Sequence, residues 1–227
     1  MEDSVKNMAG VPTKTVICDG EGEIIEKKSR FIGNLYKIES EEQVSTLIAA
    51  LKKKYWDARH HCYAFVLGDN NENVRSSDDG EPSGTAGKPI MEALVGSGIR
   101  NCLIVVTRYF GGTLLGTGGL VRAYSQAAKA AIDGSEIAEC TQGTGFLVKV
   151  DYTDYGKIQY IAAQENALVA NVDYADNVIA TIYVEKYNYD AIYKQISDQT
   201  AGRAQIEVLE DCVIGIDREQ NKLFKLE

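Results

Sequence analysis

Apolar positions along the chain switch between two spacings, and the switches mark the elements. "SEEQVSTLIAALKKKYW", from residue 40, has the helical one: Val44, Leu47, Ile48 and Leu51 form a stripe, and Ser40 followed by Gln43 is a capping-box start. Before it, "TKTVIC" and "EIIEKKSRFIGNLYKI" read as strands that turn around "DGEG", with a bend near Gly33 where the alternation blurs. "HHCYAFVLG" is a strand ending at Gly68, and "DNNENVRSSDDGEPSGTAGKP" then runs 21 residues with almost no apolar side chain. A structureless connection of that length is usually functional or mobile. "IMEALVGSG" predicts a short helix closed by glycine. The unbroken apolar run of "NCLIVVTRYF" predicts a strand buried on both faces. "GGTLLGTGG" is a turn, and "LVRAYSQAAKAAID" is a helix. Leu120, Val121, Tyr124, Ala127, Ala128 and Ala131 lie on its inner side, and Arg122, Ser125, Gln126 and Lys129 on its outer side.

The pattern resets near "ECTQG", residues 139–143. "GFLVKVDY" is a strand, "DYGKIQYIAAQEN" a helix, "ALVANVDY" and "NVIATIYVE" two strands joined at "ADN". "NYDAIYKQISDQTAG" is a helix stopped at Gly202, and "RAQIEVLEDCVIGI" is a last strand. That is βαββαβ, the ferredoxin-like order. The expected class is therefore α+β with two domains, residues 1–139 and 140–227.

Composition narrows the function classes. The hydrophobic fraction of 44% and charged fraction of 25% are those of a soluble globular protein. No apolar run is long enough to span a bilayer, and the start "MEDSVKNMAG" is not a signal peptide and is expected to fray. Five cysteines, odd in number and far apart, form neither a disulfide framework nor a zinc knuckle, and they read as thiols of a reducing cytoplasm. The net charge of −9 argues against a general nucleic-acid sponge. Yet residues 83–132 carry Lys88, Arg100, Arg108, Arg122 and Lys129 against the single carboxylate Glu92.

Inside that basic window lies "RYFGGTLLGTGGLVRAY", residues 108–124, with five glycines and two arginines. A buried strand runs into glycines and then into a helix, whose free N–H groups and dipole attract an anion. Gly111, Gly112, Gly118 and Gly119 leave the backbone approachable, and Arg122 stands in a first helical turn where a cation favours a shared anion. Arg108 leaves the strand end beside them. The competing reading makes the glycines a packing device and the arginines partners of Asp78, Asp79 or Glu81. Two nucleotide motifs fail: "PSGTAGKP" begins with Pro82 and ends in Pro89, and "GTGGLV" puts Val121 where a last glycine belongs. The carboxylates of "DDGEP", 78–82, could hold a metal or act as acid and base, but neighbouring acids on a turn more often cap it. His60 and His61 beside Cys62 are too few for zinc and read as hydrogen-bonded structural histidines. "KKK" at 52–54 reads as a solvated helix end.

"SSDDGEPSGTAGKPI" and "NCLIVVTRYFGGTLLGTGGLVRAY", with the looser "KKSRFIG" and "RHHCYAFVLG", resemble the Impact/YigZ family over about residues 14–135. The C-terminal part resembles the smaller domain of bacterial members. The resemblance implies a first domain like the second domain of ribosomal protein S5, and a second like the ferredoxin-fold C-terminal domain of elongation factor G. Eukaryotic members are linked to translational control, which implies binding to RNA, the ribosome or a translation factor. Lys88, Arg108 and Arg122 would then meet phosphate, Tyr109 and Phe110 would stack on bases, and Asp79 and Glu81 would support the loops. The S5-like fold also occurs in kinases of the galactokinase/homoserine kinase type, so a nucleotide- or phosphate-binding enzyme is the alternative. No catalytic base beside a magnesium site is recognisable, and no catalytic residue, metal or cofactor is expected.

Overall fold

The computed structural model describes residues 14–68 and 72–226, so the expected fraying of the first residues lies outside the described residues. The chain divides into two compact units between Ile137 and Ala138. No helix among the described residues is long and apolar enough to cross a membrane.

The first unit runs β1 (Lys14–Cys18), β2 (Gly20–Glu26), β3 (Ser29–Lys37), α1 (Glu41–Lys54), β4 (His60–Leu67), β5 (Asn73–Ser77), α2 (Gly87–Ser97), β6 (Cys102–Tyr109) and α3 (Thr117–Asp133). Its antiparallel sheet has the order β2-β3-β6-β4-β5. β6 sits at the centre, and every residue from Cys102 to Arg108 is buried, as its unbroken apolar run predicts. α2 and α3 cover one face, where Phe31, Ile90, Leu94, Ile104 and Tyr124 join one core, and Phe31 meets Tyr124 edge-on at 5.2 Å. On the other face α1 packs Val44 and Leu51 against Phe65, Leu103 and Val105. Ser40 caps α1 by accepting from the Gln43 N–H.

Four sequence-based expectations change. "EIIEKKSRFIG" is a hairpin, turning at Lys27 and Lys28 with both φ positive (44° and 68°). It lacks the Asn-Gly signal that announces such turns, so the pattern alone extends one strand through it. Gly33 is no bend but a close approach: a Cβ there would lie 2.4 Å from the Ala127 carbonyl oxygen of α3. The polar segment after Gly68 contains β5, an edge strand whose pairing with β4 needs backbone only. On α3 the inner face takes Ala123 instead of Val121, which is exposed.

The second unit runs β7 (Glu136–Val150), α4 (Tyr152–Gln164), β8 (Leu168–Tyr174), β9 (Val178–Glu185), α5 (Tyr189–Gln199), β10 (Gln205–Asp217) and β11 (Lys222–Lys225). The path β10-β7-β9-β8 is the antiparallel arrangement that a ferredoxin-like βαββαβ order produces. Both helices bury Ile158, Ile161, Ile192 and Ile196 against Phe146, Val148 and Ile182 on one face. The short β11, too brief to read in the sequence, pairs with the end of β10 and closes a small second core of Tyr183, Ile214, Ile216 and Leu223.

Candidate functional site

The connection from β6 to α3 is built by close approach. The Gly111 N–H donates to Ser29 Oγ at 3.1 Å, and a Cβ at Gly111 would stand 2.0 Å from the Lys28 carbonyl carbon. No other residue fits there without moving the β2–β3 hairpin. The glycine turn and the exposed Lys27–Lys28 tip are thus one surface. Gly112 (φ 82°) and Gly116 (φ 72°) take left-handed conformations. α3 begins at Thr117 with neither a side-chain cap nor an acidic residue in its first turn. Gly118 there is exposed with open space around it, whereas Gly119 touches Leu115. An uncapped helix start facing solvent keeps orphan N–H groups and the positive end of the dipole available.

The basic residues expected to converge on this start do not all do so. Arg108 is 7% exposed and donates through Nη1 to Glu81 Oε1 at 2.6 Å, with Glu81 itself 3% exposed. Its guanidinium lies 5.3 Å from the Phe31 ring and 5.6 Å from that of Phe110. Arg108 is therefore a buried ion-pair partner and not a surface phosphate ligand. The correction follows from its place at the end of a strand covered on both sides. Lys88 is exposed on the first turn of α2 and pairs with Glu92 one turn on, at 3.8 Å. Arg122 is exposed and has no ion-pair partner among the described residues. Phe110 is 50% exposed. Tyr109 is half-buried, with its hydroxyl donating to Asp57 Oδ1 at 2.9 Å and the Arg30 guanidinium 6.0 Å from its ring.

Behind the turn lies a closed polar cluster anchored by the 78–87 loop. Glu81 Oε1 also accepts from the Tyr124 hydroxyl at 2.8 Å, and His60 Nε2 stands 3.9 Å away. His60 Nδ1 meets the Asp79 carbonyl oxygen at 2.9 Å, which makes that nitrogen the donor. Cys62 Sγ contacts the Asp78 carbonyl at 3.0 Å and the Tyr124 hydroxyl at 3.4 Å. Burial pushes the Cys62 thiol up to about 12, so it stays protonated and is no nucleophile at neutral pH. Burial likewise raises Tyr124 far above the ordinary phenol range, fixing it as a neutral donor.

Of the two acids expected to support the loops, Glu81 binds Arg108 and Tyr124. The Asp79 carboxylate accepts the His61 N–H at 2.7 Å and the Lys52 ammonium at 3.0 Å. Burial pushes Asp79 up, but those two donors together hold it below the ordinary aspartate range. Asp78, read in the sequence as an ion-pair partner or as one of several acids that could cap the turn, is the main organiser. Oδ1 accepts the N–H groups of Ala86 (2.9 Å) and Gly87 (2.8 Å), and Oδ2 that of Gly84 (2.9 Å), which caps α2 from eight and nine residues away. That spacing has no local signature, so no capping rule finds it. His60, Cys62 and Tyr124 were also missed as cluster members, because their meeting is tertiary.

Asp78→Ala is expected to cost about 2–3 kcal/mol, since it strands buried N–H groups. Desolvation raises the Asp78 pKa, but the three N–H donors together lower it by more, and the net shift is downward. A depressed folded-state pKa means that this stabilisation is complete above the ordinary aspartate value of about 3.9 and is lost as pH falls through and below it. Urea unfolding from pH 7 to 3 checks this. The stability difference between wild type and Asp78→Ala should shrink on the acid side.

The comparisons with known proteins agree with both units. A family model described as "Impact N-terminal domain" matches residues 27–132, and one described as "Domain of unknown function (DUF1949)" matches residues 148–203. IMPACT family member YvyE of Bacillus subtilis is 37% identical over 188 residues, which cover 83% of this chain and 87% of YvyE. IMPACT family member YigZ of Escherichia coli is 34% identical over 187 residues, covering 82% of this chain and 92% of YigZ. A solved structure titled "Crystal structure of an hypothetical protein" shares 32% identity, covers 87% of this chain and 97% of its own, and superposes with a TM-score of 0.54.

Proposed function

Because the chain belongs to the IMPACT family, we propose that it is a translation-associated regulatory protein that binds RNA, the ribosome or a translation factor through the glycine-turn surface of its first domain. One observation carries the reading. In a chain of net charge −9, the glycine turn joins the half-exposed Phe110 ring to the uncapped start of α3, packs through Gly111 on the exposed Lys27–Lys28 tip, and leads into the helix that carries the exposed Arg122. Phosphate contacts supply affinity and exposed rings supply base contact, and the exposed cations and the Phe110 ring offer side chains suited to each. The glycines have two roles: Gly111 is demanded by packing on Lys28, while Gly112, Gly116 and Gly118 keep the backbone low beside the helix start.

The alternative, a phosphate-handling enzyme, rests on the start of α3 holding the phosphates of a nucleotide, and no catalytic base beside a magnesium site is recognisable in the sequence. With Arg108 spent on Glu81, the RNA reading itself gives up Arg108 as a phosphate ligand and rests on Arg122, Lys27 and Lys28. The test is fluorescence anisotropy of labelled RNA with the full chain, together with co-sedimentation with ribosomes, at low and high salt. Binding at low salt that is lost at high salt is expected. Binding of Mg²⁺·ATP with no affinity for RNA or ribosomes contradicts the reading.

A further inference from the structure

The end of α1 extends the surface just described. The last turn of α1 carries Lys52, Lys53 and Lys54, and the helix gives way to Tyr55 and Trp56. Trp56 is the only tryptophan of the chain, and it is 81% exposed. The next residue, Asp57, accepts the Tyr109 hydroxyl at 2.9 Å, which joins this segment to the strand end from which Phe110 and the glycine turn emerge. Lys52 and Lys54 are engaged with Asp79 and Glu21, but Lys53 and Arg59 are exposed and have no ion-pair partner among the described residues.

A lone exposed apolar side chain needs no explanation. Here the largest aromatic side chain stands in water between unpaired cations, and its loop is fastened to a second aromatic residue. Base stacking takes this arrangement: an accessible ring face supplies sequence-tolerant contact, and flanking cations meet the phosphates on either side. A duplex hides its base faces within the stack, so an exposed ring reads only unpaired bases. We infer that this surface selects single-stranded RNA, with Trp56 as a stacking platform for an unpaired base and Lys53 and Arg59 on the adjoining phosphates. The inference rests on the RNA-binding reading above and narrows its partner class.

Because Trp56 is the sole indole, its emission reports the contact directly. The full chain is titrated with single-stranded oligoadenylate and oligouridylate, and with a duplex of the same length, following tryptophan emission and the anisotropy of the labelled oligonucleotide together. Single strands are expected to quench Trp56 as they bind, and the duplex is expected to bind more weakly without quenching. Trp56→Ala should weaken single-strand binding about ten- to a hundred-fold, and Trp56→Phe much less. Anisotropy that reports single-strand binding with emission unchanged, and with Trp56→Ala binding normally, overturns this inference and leaves the RNA-binding reading standing. Absence of any RNA binding overturns both. A blue shift of Trp56 with anionic phosphatidylglycerol vesicles, without RNA binding, also overturns both and assigns the surface to a membrane.

Discussion

Glu81→Ala is expected to lower the stability of the first domain by about 3–5 kcal/mol, because removing one partner of a buried ion pair leaves the other charged and uncompensated. Arg108 remains in the protein interior with its Nε already without a hydrogen-bond partner, and Tyr124 loses the acceptor of its hydroxyl. Arg108→Ala should cost a similar amount, since it strands Glu81. The double variant Glu81→Leu/Arg108→Met should recover most of the loss, because replacing both charges by apolar groups of similar volume is often neutral. About 1 kcal/mol should remain for the orphaned Tyr124 hydroxyl. Urea unfolding followed by far-UV circular dichroism decides it. Single losses below about 1 kcal/mol, the range of an exposed ion pair, would show that the pair is solvated and that Arg108 is free for a ligand.

Much of this architecture is legible in the sequence, for physical reasons. β6 announces itself because a strand buried on both faces has no polar alternation to blur it. α1 shows its cap and its stripe, and the second domain shows each of its six main elements through clean period changes. What escapes the sequence is set by backbone or by distance. The Lys27–Lys28 hairpin adopts left-handed φ in residues that rarely signal it. β5 pairs through its backbone while its side chains stay polar. Asp78 reaches N–H groups of residues 84, 86 and 87 across the loop.

The site is legible in outline and misread in detail. The glycine-rich turn and the open helix start stand where the sequence places them, and Arg122 is exposed as its helical position predicts. Arg108 and Arg122 look equivalent as two cations flanking glycines, but β6 carries one into the interior and α3 presents the other to solvent. The local excess of cations is correspondingly smaller at the surface of residues 83–132, and Lys27 and Lys28, outside that window, restore it. Only the packing of Gly111 on Lys28 brings these two lysines to the glycine turn.

The second large effect follows from that relocation of charge. Lys27→Ala/Lys28→Ala/Arg122→Ala should fold as the wild type, since all three side chains are exposed, and should bind RNA much more weakly. The loss should be nearly uniform across sequences, because phosphate contacts carry no base information. Arg108→Lys, by contrast, should express itself as lost stability with the salt dependence of binding unchanged.

The most direct measurement is therefore the salt dependence of RNA binding by the full chain and by this triple variant, read by anisotropy from about 50 to 200 mM salt, a range over which phosphate contacts weaken steeply. Each phosphate contact on a single strand contributes about 0.7 to the slope of log K against log salt, so losing three should flatten the slope by about two units. That result places the anionic partner on the glycine-turn surface. A wild-type affinity that does not respond to salt, or a triple variant with unchanged slope and affinity, would contradict it and leave the turn as packing alone.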